Sequence, residues 1–224
     1  MVSRETSGEL PLWLQPAQEA LERYQEILAG PGLERGLMGP REMPRLWDRH
    51  ILNCAVVANP ELGLVPHGAL VADVGSGAGL PGIVWAICRP DIEMILIEPL
   101  LRRATFLTEA VIDLGLSERV TVLRARAEKV IATPNWTGVD IVTARALAPM
   151  ERLLGWTMPL LKPVGDLVAL KGSSAFTEIE GASEVISQYQ ITEISVLTCG
   201  EGVVDPATTV VRARRSSLST NRTQ

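Results

Sequence analysis

The chain has 224 residues, 46% apolar and 21% charged, with a formal net charge of −5. That length fits one full α/β domain and is short for two, and the apolar share excludes disorder for all but the ends. An acidic chain is poorly suited to holding long nucleic acid by bulk electrostatics, so any such contact must come from local basic clusters.

The first ten residues, MVSRETSGEL, are polar and hold no signal-peptide core. Residues 11–29 read as an amphipathic helix, with Ala17, Leu21, Tyr24 and Leu28 at helical spacing. The GPG at 30–32 is expected to stop it. A second helix is expected from about 44 to 58, opened by Pro44 and carrying Leu46, Trp47, Ile51, Ala55 and Val56 on one side. From residue 69 short β-branched runs alternate with helical patterns. Strands are expected at 69–74, 94–98, 120–124, 140–143, 166–171, 191–197 and 208–213, with helices around 81–89, 100–115, 149–161 and 174–188. This rhythm predicts a seven-stranded, mostly parallel sheet with helices on both faces. TCGEGVVDPA, at 198–207, leaves no room for a helix. It predicts a closing hairpin, with one antiparallel terminal strand. The chain thus divides into a helical cap (1–65), an α/β core (66–215) and a basic, polar tail (216–224) expected to be disordered. Cys54, Cys88 and Cys199 form no CxxC pair and read as buried thiols, so no metal site is expected. No apolar run approaches the roughly 18 residues of a membrane span. A soluble, cytoplasmic protein without membrane contact is the expectation.

VADVGSGAGLPGI, at 71–83, places four glycines in eight residues behind a predicted strand. In doubly wound sheets ligands sit at the carboxyl ends of strands, and bare backbone lets a ligand approach closely. Gly77 to Gly82 satisfies GxGxxG, the dinucleotide fingerprint. Asp73-x-Gly75-x-Gly77-x-Gly79 satisfies a different pattern, an acidic residue followed by GxGxG. Three features favour the second. A carboxylate at Asp73 repels a pyrophosphate and suits an ammonium group. Pro81 removes an amide donor from the stretch that would hold phosphates. The antiparallel terminal strand departs from an all-parallel dinucleotide sheet. Glu98 ends the next strand, where a carboxylate accepts from ribose hydroxyls in either reading. These residues point to S-adenosylmethionine (SAM) and to a Rossmann-like, class I SAM-dependent methyltransferase fold. The amino-acid end would lie by Asp73 and Gly75, with Ser76, Gly77 and Gly79 completing the cradle. The adenine would lie by the amides of Ala127 and Glu128.

The stretch after the fourth strand, VTARALAP, lacks the (N/D)PP(Y/F) motif of adenine amino methylation, and no cysteine stands where a pyrimidine-carbon methyltransferase needs a thiolate. Arg145 and Lys171 instead end the fourth and fifth strands. Cations there suit an electron-rich acceptor or its phosphates. A purine N7 offers a free lone pair, so positioning suffices and no general base is required. Arg41, Arg45 and Arg49 stand four apart and are expected to share one face of the second helix, with His50 beside them and Arg102 and Arg103 opening a later helix. Such clusters suit phosphates. Ordinary salt bridges and a solvated helix face, partly neutralised by Glu42 and Asp48, remain the alternatives for them.

LWDRHILNC, VADVGSGAGLPGI, LIEPLLRR, RAEK, TARALAP and LKG occur here in the order and spacing of the glucose-inhibited-division-B family, and the chain resembles an actinobacterial member over roughly residues 15–213. The resemblance implies a SAM-dependent methyltransferase acting on N7 of guanine 527, in the usual rRNA numbering, in the 530 loop of 16S ribosomal RNA. It implies that loss of the methyl group gives low-level streptomycin resistance. It places SAM contacts at Gly75, Leu80, Ala127, Glu128 and Arg145, and RNA or pocket contacts at Arg49, His50 and Lys171. The partner would be the small ribosomal subunit or its assembly intermediate. Two stretches depart from the family pattern: GLERGLMGPREM, where many members carry Trp-Asn, and Asn53-Cys54 in place of Asp-Ser. Two other functions stay open: a nicotinamide-dependent oxidoreductase using the GxGxxG, and a non-catalytic RNA-binding module on a SAM-binding fold.

Overall fold

The computed structural model describes residues 10–215. The tail assigned to disorder, and residues 1–9 of the polar N-terminus, lie outside the described residues.

Seven strands form one sheet: β1 (Leu70–Val74), β2 (Glu93–Ile97), β3 (Val120–Leu123), β4 (Val139–Arg145), β5 (Leu161–Lys171), β6 (Ile191–Cys199) and β7 (Thr208–Arg215). Their order is β3-β2-β1-β4-β5-β7-β6. The pairs among β1 to β5 are parallel, while β7 runs antiparallel to both β5 and β6. The hairpin expected from the short 198–207 connection is therefore present, and the final strand inserts between β5 and β6. Cys199 ends β6 and is buried, although the sequence places it in the following loop.

Alternation along the strands sends side chains to two apolar layers. On one face Val71, Leu96, Ile141, Val168 and Val210 pack with α1 (Gln18–Ile27), a broken helix over 40–58 whose central turn is α2 (Asn53–Ala55), α3 (Gly82–Cys88) and α4 (Leu101–Asp113). On the other, Ala72, Val142, Ala169 and Val211 pack with α5 (Ala127–Ile131), α6 (Met150–Thr157), α7 (Ala175–Glu180) and α8 (Ser183–Gln188). The N-terminal helices thus share one core with the sheet. Trp85 is fully buried in that layer and donates its indole N–H to the carbonyl of Cys54, tying α3 to α2. Burying a side chain of that size stabilises by roughly 1.5–3 kcal/mol, and the hydrogen bond satisfies its one polar atom.

Two helix expectations need correction. GPG does not stop the first helix: a wide π-type turn over Leu28–Gly32 carries the chain past Pro31. Such a turn moves the proline ring off the carbonyl four residues back, the clash that ends a regular helix. The second helix is not regular either. It runs as a 3-10 stretch (Pro40–Arg45), a π-type stretch (Leu46–Leu52), the single turn α2 and a 3-10 turn (Val56–Ala58). Residues four apart no longer fall in one row, so Arg41, Arg45 and Arg49 do not share a regular α-helical face.

Candidate active site

Strand order reverses between β1 and β4, and the glycine stretch begins at the carboxyl end of β1. The loop is held mainly through backbone. The amides of Gly75 and Ser76 donate to the carbonyl of Ile97 at 2.9 and 3.3 Å. Glu98 accepts from Gly77 N with one carboxylate oxygen and from Leu100 N with the other, both at 3.0 Å. From the opposite side the buried Tyr24 hydroxyl donates to the carbonyl of Ala78 at 2.5 Å. Gly77 has φ +59°, and a Cβ there would meet only the Gly75 carbonyl, at 3.7 Å. At Gly82, by contrast, a Cβ would meet Leu96 at 2.5 Å and Asp73 Oδ2 at 2.7 Å. The first glycine leaves open space beside the backbone; the second lets α3 pack against β1 and β2.

Asp73 is fully buried. Oδ2 accepts from Gly82 N at 3.1 Å, while Oδ1 has no hydrogen-bond partner. Burial pushes its pKa up to about 7, with the charge of Glu98 adding to the rise. A buried carboxylate oxygen without a donor calls for a cationic or donor ligand.

Across the switch point lies a cavity of about 880 Å³. Arg45, Arg49 and Asn53 of the broken helix line one side, residues 145–149 after β4 another, and Leu170–Gly172 with Glu178 a third. Asp48 and residues 204–206 complete it. Arg145 donates to the carbonyls of His50 and Arg49 at 3.4 and 3.2 Å, to Cys54 Sγ at 3.1 Å and to His50 Nδ1 at 2.8 Å. His50 Nε2 faces Glu42 Oε2 at 2.7 Å. Burial, then the charge of Arg145, lowers the pKa of His50. Lys171 donates to the carbonyl of Ala148 at 2.7 Å and pairs with Glu178, which also accepts from Met150 N and Ser174 Oγ. Between these anchors Ala146 has φ +50°, a strained value for a residue with a side chain. Leu147 lies over the glycine loop: a Cβ on Gly75 would meet its Cδ1 at 2.5 Å.

Residues 17–207 match the family described as rRNA small subunit methyltransferase G (GidB). The chain belongs to that family. It is 55% identical over 190 residues to ribosomal RNA small subunit methyltransferase G of Streptomyces avermitilis, covering 85% of this chain and 77% of that one. The corresponding protein of Thermobifida fusca is 53% identical over 85% of this chain and 77% of its own. Among solved structures, a putative O-methyltransferase from Klebsiella pneumoniae superposes with a TM-score of 0.59 at 14% identity, over 88% of this chain and 90% of its own. A SAM-dependent methyltransferase from Aquifex aeolicus superposes with a TM-score of 0.54 at 21% identity, over 80% and 100%. At those identities the likeness is one of fold, the Rossmann-like fold of SAM-dependent methyltransferases.

In this member of the methyltransferase G family, the predicted site residues separate into two groups. Asp73, Gly75, Ser76, Gly77, Gly79 and Glu98 gather at the ends of β1 and β2, with Leu80 just before α3 and Ala127 and Glu128 opening α5. Glu98 is 1% exposed and braces the loop through its amides. Arg45, Arg49, Arg145 and Lys171 gather at the cavity, and His50 reaches it through Arg145. Arg102 and Arg103 do not join them. Arg103 stands 3.9 Å from Glu98, and Arg102 lies beside Gly36. Lys171 is not a free cation, since Glu178 neutralises it in place. Sequence reasoning missed Glu42, Glu178 and the Tyr24 hydroxyl. Tyr24 enters the sequence reading only as an apolar helix position and Glu42 only as partial neutralisation of the arginine cluster, and nothing local marks the Tyr24 hydroxyl or the pairing of Glu42 with His50. Among the described residues no cluster of three or more His, Cys, Asp or Glu could hold a metal ion, and no helix is long and apolar enough to cross a membrane.

Proposed function

We propose that the chain methylates N7 of guanine 527 in the 530 loop of 16S ribosomal RNA in the cytoplasm, with SAM as the methyl donor. The observation that carries this reading is the junction at the switch point. A glycine loop backed by an orphaned buried carboxylate oxygen stands on one side, and on the other a cavity lined by Arg45, Arg49 and Arg145 together with the Lys171–Glu178 pair, Asp48 and Asp205. The glycine loop fits the donor's amino-acid end. Asp73 Oδ1 lacks the donor that an ammonium supplies, and the space beside Gly77 is clear of side chains. Gly75, Ser76, Gly79 and Leu80 complete the cradle. Glu98 shapes it and keeps a second lone pair on each oxygen for hydroxyls. Ala127 and Glu128 are the first residues of α5, whose amides have no acceptor within the helix. When bound, SAM supplies a methyl group activated on a sulfonium sulfur.

A cavity of this volume lies within the range that encloses a small organic group such as a nucleobase. Arg45 and Arg49 at its side suit backbone phosphates. His50, the ring best suited to serve as a base at neutral pH, has both nitrogens engaged. That matches an acceptor with no proton to remove: a lone pair such as N7 takes the methyl in line once positioned. Arg145 and Lys171 serve in positioning, Lys171 through the 146–149 loop.

The test is transfer of labelled methyl groups from SAM to small-subunit rRNA of cells lacking the enzyme. Naked rRNA, an assembly intermediate and the complete subunit are compared, and the mark is mapped. A mark on a base other than guanine overturns the reading. The GxGxxG overlap favours a second reading, nicotinamide-dependent oxidoreduction; calorimetric titration with SAM and with NADH separates the two. Tight SAM binding without turnover on any ribosomal substrate would leave a non-catalytic RNA-binding module.

A further inference from the structure

Arg145 spends its four terminal N–H groups on the broken helix: Nη1 on the His50 carbonyl and Cys54 Sγ, Nη2 on the Arg49 carbonyl and His50 Nδ1. Among the described residues its Nε–H has no hydrogen-bond partner. A guanidinium only donates, so His50 Nδ1 must carry a lone pair. The ring proton of the neutral imidazole then sits on Nε2 and donates to Glu42 Oε2, 2.7 Å away. We propose that Glu42 is a positioning residue for methyl transfer: by holding His50 as the Nε2–H tautomer it keeps Nδ1 open to Arg145. It thereby fixes the Arg145 guanidinium at the cavity wall, with Nε–H as the donor left for a ligand. The inference rests on the methyltransferase reading of that cavity.

The contacts support a neutral ring. Arg145 from β4, with Glu42 and Arg49 from the broken helix, are the charged groups that face His50, and Arg45 also acts on Glu42. Burial and the two arginines disfavour the imidazolium, while Glu42 favours it. The hydrogen bond to His50 holds the Glu42 carboxyl below its usual range. Protonation of His50 would remove the acceptor and set a cation against Arg145. Loss of Glu42 would free the ring to take the other tautomer, whose Nδ1–H points a donor at a donor.

Nitrogen-15 NMR of labelled imidazoles reads this directly. The chain has two histidines, so the two sets of ring resonances are assigned by comparison with a His67→Ala variant. His50 is expected as the Nε2–H tautomer at pH 7, titrating below the ordinary imidazole range. Glu42→Ala should mix the tautomers and lower kcat/KM for methyl transfer by about tenfold, the size of one lost positioning hydrogen bond. In an Arg145→Ala background it should cost nothing more. Glu42→Gln keeps an acceptor for Nε2–H, so it should recover most of the loss. It should also move the acid limb of the pH profile to lower pH, because the charge that favours the imidazolium is gone. An Nδ1–H or charged His50 at pH 7, additivity of the two alanine variants, or an acid limb unmoved by Glu42→Gln would overturn the proposal. If the wild type transfers no methyl group while His50 is the Nε2–H tautomer, the methyltransferase reading fails, and the role of Glu42 with it.

Discussion

The two sides of the switch point are built in opposite ways. On the side proposed for the methyl donor a contiguous run, Asp73 to Gly82, is shaped by its own backbone amides and by Glu98 at the end of the neighbouring strand. On the acceptor side the wall is assembled from side chains far apart in the chain. Arg145 reaches back 91 to 96 residues to Arg49, His50 and Cys54, and Thr208 reaches 155 residues back to the carbonyl of Asn53. A backbone-built site is written locally, whereas a side-chain-built one depends on which elements pack together. Substitutions on the donor side should therefore act on SAM binding or on folding, and those on the acceptor side, Arg145 with its expected SAM contact apart, on transfer.

The sharpest contrast within the loop itself is between two glycines. Gly77→Val should weaken SAM binding by about 100-fold or more, because the branched side chain fills the open space at a positive φ. Calorimetry reads that loss; retained affinity would mean that the loop is not the cradle. Gly82→Val should instead destabilise the fold by about 2–3 kcal/mol through its collision with Leu96 and Asp73, read by urea unfolding.

On the other side, Lys171→Ala should leave SAM affinity nearly intact and lower transfer by roughly tenfold. It releases the Ala148 carbonyl and leaves Glu178 without its cation. If SAM affinity fell as far as with Gly77→Val, the division between the two sides would be wrong.

Asp73 gives a pH signature to the donor side. Its folded pKa, about 7, lies above the ordinary carboxylate value, so the folded state holds the proton more tightly than the unfolded one. The stability this contributes is complete below about pH 4 and is lost as pH rises through about 7, each tenfold difference in proton affinity being worth roughly 1.4 kcal/mol. Asp73→Asn should flatten the fall in melting temperature between about pH 5 and pH 8. An unchanged slope would assign that fall to other groups. The smallest effect belongs to Arg45 and Arg49. Replacing either by Ala should weaken rRNA binding a few-fold and reduce the salt slope by about one, whereas Arg102→Ala, away from the cavity, should change neither. Equal effects from all three would mean that the RNA footprint extends beyond the cavity.

The sheet, its seven strands and the antiparallel final strand were legible because β-branched runs and turn residues record local periodicity. The boundaries differ by a residue or two at most strand ends. Strand β5 starts at Leu161 rather than 166, since pairing of Val139 with Leu161 extends it past Pro163 and Gly165. The broken helix was legible as helical but not as broken. Its carbonyls at His50, Asn53 and Cys54 accept from Arg145, Thr208 and Trp85, which lie elsewhere in the chain.

The sequence by itself determined the glycine loop at the end of β1, since glycines, an aspartate and a strand end are neighbours in the chain and act through backbone geometry. It also named the cations Arg145 and Lys171. The tertiary structure alone decided what those cations do. It set Glu178 against Lys171, Cys54 and His50 against Arg145, and Tyr24 beneath the glycine loop. Those partners are chosen by distance in space, which one-dimensional spacing does not encode. A charge's role is set by whichever group neutralises or orients it.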